Sequence, residues 1–448
     1  MRRPYLTSAL VPAVTLTVLL AGCSSSSSDQ PSTAASPSGS ASASALPSTP
    51  MSASPSPSAS ATTGPAVRIP ATITGMHVAG VQDGAWPDSN VPFRSLRLWD
   101  AGTAWSQVES VKGRYDWALL DRSVKNAEAH KVTDILLVLG STPTWNAKRI
   151  KPGDYPVPGA ASAPKSVGAW DAFVRAVVTR YKGRITSYQI WNEASLAMFW
   201  NGTPEQMADL TKRAADIIHT IDPKATVVAA STTVRLEGAF TRFFTRYLAA
   251  LDALDWPVDV FAAHLYPASK GTTDERAAYV TQVTDALAAA NAPDLPVWDT
   301  ELNYGLAGPG PENPHLAITG ATARDWVVQT AFDSLSLGIA RTYWYIWTPK
   351  PYPLLGLQLT NDSGGVQGLR IVEQWAVGAT TTGCTDDGSV SSCPLDRDGI
   401  PSIVAWANDE SGTLTAPTGF AQVCTTANEC TPISGTLTLT ETPVRLIP

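Results

Sequence analysis

Residues Ser187-Tyr188-Gln189-Ile190-Trp191-Asn192-Glu193 decide how the rest of the chain is read. A short apolar run rises out of Arg184-Ile185 and stops on an amide followed by a carboxylate. A run of this length, bounded by polar residues and followed by a helix-like segment, reads as a buried parallel strand. In an α/β barrel the C-terminal end of such a strand is where the chemistry sits.

Outward from this stretch, short apolar runs alternate with amphipathic segments of helical length from Val67 to about Gly378. Such alternation predicts βα repeats and a parallel sheet. The expected strands are Thr72–Val78, Ser95–Trp99, Asp134–Leu139, Ser187–Asn192, Thr226–Ala230, Val258–His264, Pro296–Thr300 and Arg341–Ile346. The expected helices are Trp117–His130, Val167–Tyr181, Pro204–Ile221, Gly238–Leu251, Asp274–Asn291, Ala321–Leu337 and Val366–Val377. Pro204 stands where a first helical turn tolerates proline, with Thr203 as its cap. The first connection, Ala79 to Arg94, shows no helical pattern.

Glu193 ends the fourth run and Glu301 the seventh. They are about 108 residues apart, about 36 per βα unit, which fits a (β/α)8 TIM barrel of about 300 residues. A doubly wound open sheet is the rival, and it would show a Gly-rich turn after the first strand. The turn here, His77-Val78-Ala79-Gly80-Val81-Gln82-Asp83-Gly84, lacks that fingerprint.

Two carboxyl groups at strand ends suit one chemistry above others. Hydrolysis of a glycosidic bond needs a protonated carboxyl for the leaving oxygen and an ionised one to attack carbon or activate water. Glu193 and Glu301 supply the pair. The alternative for each alone is a solvated strand-end residue. Asp299 shares parity with Glu301 in Val297-Trp298-Asp299-Thr300-Glu301 and is the reserve nucleophile.

Trp191-Asn192-Glu193 and the residues at the other strand ends resemble clan A glycoside hydrolases, most nearly glycoside hydrolase family 39. The resemblance implies Glu193 as acid/base, Glu301 as nucleophile, and retention of configuration. It implies that Asn192 meets the sugar 2-hydroxyl and that Arg97, in Leu96-Arg97-Leu98-Trp99, supports the nucleophile. It assigns substrate contacts to His264 and Tyr266, in His264-Leu265-Tyr266-Pro267, to Trp347 in Tyr345-Ile346-Trp347, and to His77 and Trp145. Arg97 would favour ionised Glu301 through charge-assisted hydrogen bonds, and Trp347 would offer an apolar face to a sugar. The alternatives are a strand-end ion pair for Arg97 and core packing for Tyr266 and Trp347. A metal site of His77, His264 and an acid has no spacing signature, and no metal or cofactor is expected. General acid work near neutral pH leads one to expect Glu193 above the usual carboxylate range.

Two loops fall on the catalytic face of such a barrel: Asn146 to Pro164, and Tyr304 to Pro314. Lys148, Arg149 and Lys151 would meet an acidic sugar or form a solvated loop.

The front of the chain concerns location. Met1-Arg2-Arg3 is a basic n-region and Leu10 to Leu20 an apolar h-region, too short to span a bilayer comfortably. Leu20-Ala21-Gly22-Cys23 is similar to a bacterial lipobox, which implies residues 1–22 as a cleaved signal peptide and a lipid anchor on Cys23 at the outer face of the cell membrane. An ordinary secretory signal is the alternative. Residues 23–65, mostly Ser, Ala, Pro and Thr, lack apolar side chains to bury and read as a tether. Residues 66–378 form the expected barrel.

Of five cysteines, four lie near the C-terminus, and an even number outside the cytoplasm suggests two disulfides. Three pairings are possible, and short loops favour Cys384–Cys393 and Cys424–Cys430. The texture after Gly378 turns to Thr, Ser and Gly with alternating runs such as Ser402–Trp406 and Thr436–Thr440. Residues 379–448 therefore read as a small, stapled, sandwich-like β-domain. Net charge is −7 with no Lys/Arg cluster, which argues against nucleic acid as a partner. The expectation is a monomeric, exported glycosidase acting on poly- or oligosaccharide. The alternative is a catalytically inactive carbohydrate-binding surface lipoprotein.

Overall fold

The structure is a computed structural model in which residues 65–307, 316–433 and 435–448 are described. The expected signal peptide, Cys23 and the tether up to residue 64 lie outside the described residues, as does 308–315 of the loop after Glu301. Among the described residues no helix is long and apolar enough to cross a membrane.

Eight parallel strands form the barrel: β1 Thr74–Val78, β2 Ser95–Leu98, β3 Asp134–Leu139, β4 Ser187–Ile190, β5 Thr226–Val228, β6 Phe261–His264, β7 Val297–Leu302 and β8 Ile339–Trp347. They follow the order β5-β4-β3-β2-β1-β8-β7-β6. Parallel bridges Val228–Val260 and Thr233–His264 bring β5 and β6 together and close the ring. The expected strands are all present, Asp134–Leu139 with the same ends and the others with shifted ones. Ala71–Ile73 winds into a 3-10 turn ahead of β1. β4 stops at Ile190 because Trp191 turns to φ +75°.

Strands buried on both faces read as continuous apolar runs, and Ile135–Leu139 of β3 is wholly buried. Leu136, Val228, Ala262, Trp298 and Tyr343 fill the lower interior. Gly75 is required there, because a Cβ would stand 2.3 Å from the Tyr343 ring. Towards the C-terminal ends the interior turns polar with His77, Arg97, Gln189 and Thr300, all buried.

The outer helices are α1 Ala118–Ala129, α2 Val167–Tyr181, α3 Pro204–Ile221, α4 Glu237–Asp252, α5 Thr273–Ala289, α6 Gly320–Ser336 and α7 Gly364–Trp375. Thr203 caps α3 in a capping box with Gln206, a device that contributes about 1 kcal/mol. The connection after β1 carries only the 3-10 turn Val81–Asp83.

The C-terminal sheet is antiparallel, and Val67–Arg68 belongs to it through pairing with Thr380–Thr381. Its long hairpin, Val390–Arg397 with Ile400–Ala407, alternates with period two. Val404 and Trp406 pack on Phe332 of α6 and Trp375 of α7, while Ala405 and Ala407 face Leu439 of the ribbon Gly412–Thr415/Thr436–Leu439. Disulfides join Cys384 to Cys393 and Cys424 to Cys430, the second pair being cross-strand partners. Large buried side chains of this kind each contribute about 1.5–3 kcal/mol, so the sheet is held by barrel helices as well as by its disulfides.

Candidate active site

The end of β4 is bent sharply. Trp191 and Glu193 both have left-handed backbones, with φ of 75° and 42°. For residues with a Cβ this conformation is strained and persists only when its surroundings impose it. Here Trp191 N donates to Leu139 O and its Nε1 to Phe199 O, at 2.7 and 2.6 Å. Gly140 leaves room, since a Cβ there would stand 3.0 Å from the Trp191 ring. Glu193 N is tied to Ser231 Oγ at 2.9 Å.

Arg97, on β2 and fully buried, is the hub. It donates from Nε to Gln189 Oε1 at 2.9 Å, from Nη1 to Glu301 Oε1 at 2.6 Å, and from Nη2 to Asn192 Oδ1 at 2.7 Å. The last bond fixes the Asn192 amide, turning its Nδ2 donor away from Arg97. Tyr266 OH donates to Glu301 Oε2 at 3.1 Å. Glu301 is thus held from both oxygens.

His264 bridges the two carboxylates. Its Nδ1 lies 3.2 Å from Glu193 Oε1 and 3.4 Å from Glu301 Oε2, and its Nε2 3.5 Å from Arg97 Nη2. Arg97 can only donate, which assigns the hydrogen to Nδ1 and the lone pair to Nε2. Thr233 Oγ1 donates to Glu193 Oε1 at 2.6 Å. One oxygen of each carboxylate and one nitrogen of His264 lie within 4.8 Å of one another. These are metal-ligating types, and both Glu301 oxygens and Glu193 Oε1 already accept hydrogen bonds from Arg97, Tyr266 and Thr233.

The Glu193 carboxyl differs from the sequence expectation. Burial pushes it up, but the hydrogen bond from His264, the Thr233 hydroxyl and the Arg235 charge together outweigh burial and hold it below the usual range. These groups come from the connection after β5 and from β6, so no local reading of Trp-Asn-Glu reveals them.

His77 is buried, and its ring sits edge-on to Tyr345 at 5.0 Å. Its Nε2 lies 3.3 Å from both Thr300 O and Arg97 Nη1. Burial, then the Arg97 charge, push the imidazole well below its ordinary value and keep it neutral.

The structure therefore brings together Glu193, Glu301, Asn192, Arg97, His264, Tyr266 and His77. Trp347 is placed elsewhere: its indole is buried and its Nε1 donates to Asn361 Oδ1 at 2.9 Å. Trp145 is edge-on to Trp105 and donates to Glu109 O. Asp299 shares no surface with the cleft. It is fully buried, held by Arg276 Nη2 at 2.9 Å, and an irregular register between Asp299 and Leu302 breaks its parity with Glu301. Lys148, Arg149 and Lys151 are exposed, with Arg149 Nη2 on Asn201 O.

Four members were not anticipated: Gln189, Thr233, Tyr345 and Asp100. Gln189 carries a signal, a polar side chain inside an apolar run. Tyr345 precedes Trp347 by two residues and is the strand-eight aromatic that reaches the cluster. Its OH donates to Asp100 Oδ2 at 2.8 Å, and Tyr155 OH donates to Oδ1 at 3.2 Å. Asp100 keeps a solvent-facing edge. The surrounding protein, then the Glu301 charge, nevertheless push its carboxyl up to about 6.

The fold has clear likenesses among solved structures. One is a family 39 glycoside hydrolase from the gut symbiont Bacteroides cellulosilyticus WH2, with TM-score 0.58 and 16% identity over 84% of this chain and 81% of that one. Another is a family 39 β-xylosidase from Caulobacter crescentus, with TM-score 0.59 and 18% identity over 86% and 97%. A third is a family 44 endoglucanase, Cel44A, from Clostridium thermocellum, with TM-score 0.52 and 13% identity over 86% and 97%. No family model matches the chain, and no curated protein matches it in sequence. At these identities the likeness is one of fold, a (β/α)8 barrel with a β-domain.

Proposed function

We propose that the chain is a retaining glycoside hydrolase acting on O-glycosidic bonds of extracellular poly- or oligosaccharides. Glu193 is its acid/base and Glu301 its nucleophile. The observation that carries this reading is the pair of carboxylates at the ends of β4 and β7, with oxygens within 4.8 Å. Retaining enzymes hold their carboxyl groups about 5–5.5 Å apart, and inverting ones about 6.5–9.5 Å apart to admit a water.

The chemistry follows from the contacts. Glu301 attacks the anomeric carbon, forming a C–O ester bond while the glycosidic C–O bond breaks. Glu193 passes its proton to the leaving oxygen. Water then enters, Glu193 takes its proton, and the ester is cleaved with the original configuration restored. Arg97 and Tyr266 keep Glu301 ionised and aimed, and Asn192 Nδ2 donates to the sugar. Glu193 sits low in the free state, so the form that cleaves is the one whose carboxyl has taken a proton from solvent, with the His264 Nδ1 hydrogen 3.2 Å away holding that carboxyl in place.

The lipobox-like Leu20–Cys23 and the two disulfides support export, with the lipid on Cys23 holding a monomeric enzyme at the outer membrane face. The test is hydrolysis of a panel of aryl glycosides and cell-surface glycans by the full chain, Glu193→Ala and Glu301→Ala. Turnover lost by at least about 10³-fold in Glu301→Ala supports the reading. Glycan binding without turnover would give the inactive sugar-binding alternative.

A further inference from the structure

Asp100 is a carboxylate beside the two glutamates, among the described residues, that the proposed cleavage leaves unused. It follows β2 by two residues and so stands at the barrel end that carries Glu193 and Glu301. Each of its oxygens accepts a tyrosine hydroxyl, Tyr155 at Oδ1 and Tyr345 at Oδ2. A carboxylate oxygen offers two lone-pair sites, so both retain acceptor capacity, and the residue is exposed. Tyr345 is itself set by the His77 ring, which lies against Arg97. The acceptor is therefore oriented by the same network that holds the nucleophile.

Beside it stands an apolar wall. Trp99 and Tyr155 each meet Phe199 edge-on, at 6.2 and 6.4 Å. Aromatic faces next to a few fixed polar groups suit a ring with one apolar face and a polar edge. The local charge then narrows the class. The groups facing Asp100 are Glu301, Arg97, Tyr155, Tyr345 and Tyr352, and Arg97 is already committed to Glu301 and Asn192. An acidic sugar would bring a further negative charge against Asp100 and Glu301. Arg97 is the cation whose charge acts on Asp100, while Arg149 of the loop is bonded to Asn201 O.

We propose that Asp100, framed by Tyr155 and Tyr345, determines which sugar the cleft accepts: it takes paired hydrogen-bond donors of an uncharged or amino sugar and rejects uronic and sulfated ones. The inference rests on reading the cleft as a glycosidase site. The donor pair can be two hydroxyls or a hydroxyl and an ammonium, and the substrate arms below separate them. Protonation of Asp100, whose carboxyl stands at about 6, removes acceptor capacity as pH falls.

The test compares the full chain with Asp100→Asn, Tyr155→Phe and Tyr345→Phe on matched aryl glycosides: neutral, 2-amino-2-deoxy and uronide. The expected result is a KM at least about tenfold higher in Asp100→Asn on the best neutral or amino substrate, with kcat within about threefold. The uronide-to-neutral ratio of kcat/KM should rise at least about tenfold. The wild-type KM should climb below about pH 6 and that of Asp100→Asn should not. An amino-sugar preference that is lost in Asp100→Asn names the ammonium as donor, and equal use of both names the hydroxyl pair. An unchanged substrate ratio and pH profile in Asp100→Asn overturns the proposal. If the wild type turns over nothing, the glycosidase reading fails by itself. Binding of the same sugars, followed by tryptophan fluorescence, then decides the subsite. A tenfold weaker neutral-sugar affinity in Asp100→Asn keeps it, and equal or absent binding removes it.

Discussion

Arg97 Nη1 donates to Glu301 Oε1 across 2.6 Å, with the arginine side chain wholly shut off from solvent and the glutamate nearly so. One guanidinium thereby holds the ends of β7, through Glu301, and β4, through Gln189 and Asn192. Buried pairs of this kind are costly to break singly, by about 3–5 kcal/mol, because the surviving charge has no compensation. Arg97→Met should lower the melting temperature by several degrees and reduce kcat/KM by at least about 10²-fold. Arg97→Lys should recover little, since one ammonium cannot serve three acceptors in a planar fork. Thermal denaturation followed by circular dichroism, with kinetics on the same samples, checks both.

Thr233 donates to Glu193 Oε1 at 2.6 Å and favours the ionised carboxyl. Thr233→Val removes that donation, so the Glu193 pKa rises. The group then stays protonated to higher pH, and the basic limb of kcat/KM should move upward by about half to one unit. An unmoved limb in a folded variant would mean that Glu193 is not the group it reports.

Asp333 on α6 is buried, and burial pushes its carboxyl up to about 7. The folded state then binds a proton that the unfolded chain, near 3.8, releases. Stability from this group is complete below about pH 4 and is lost as pH rises through about 7. Asp333→Asn should be neutral at pH 4 and more stable than wild type at pH 8, by up to about 4 kcal/mol. The new amide also meets a waiting acceptor region, as Gln329 Oε1 has no hydrogen-bond partner among the described residues. Urea titrations at the two pH values read the difference.

The disulfides close short loops, with sequence separations of 9 and 6. Loop entropy at that size corresponds to about 2–3 kcal/mol each. Cys424→Ser/Cys430→Ser should lower stability by about that amount and leave kcat intact, because neither residue touches the barrel cleft. A matched loss of kcat would tie the β-domain to catalysis.

The barrel was legible because its signals are local. Apolar runs such as Ile135–Leu139 mark strands by burial on both faces, and Thr203-Pro204 starts α3 where capping chemistry requires. The carboxylates were legible because each ends such a run. The rest depended on contacts between distant strands. Tyr345 and Trp347 share the end of β8, and only packing shows that Tyr345 meets His77 while Trp347 turns to Asn361. Asp299 lost its parity with Glu301 through an irregular register that no sequence period carries. The low Glu193 carboxyl reflects His264 and Thr233, which lie 71 and 40 residues away.

The two glutamates are told apart most directly by azide rescue with an activated aryl glycoside, followed by product stereochemistry. Azide replaces a missing nucleophile from the face opposite the leaving group, and it replaces the deglycosylating water when the acid/base is missing. Glu301→Ala should form a glycosyl azide of inverted configuration, and Glu193→Ala one of retained configuration. The reverse assignment, or inverted products from both variants, would contradict a double displacement through Glu301.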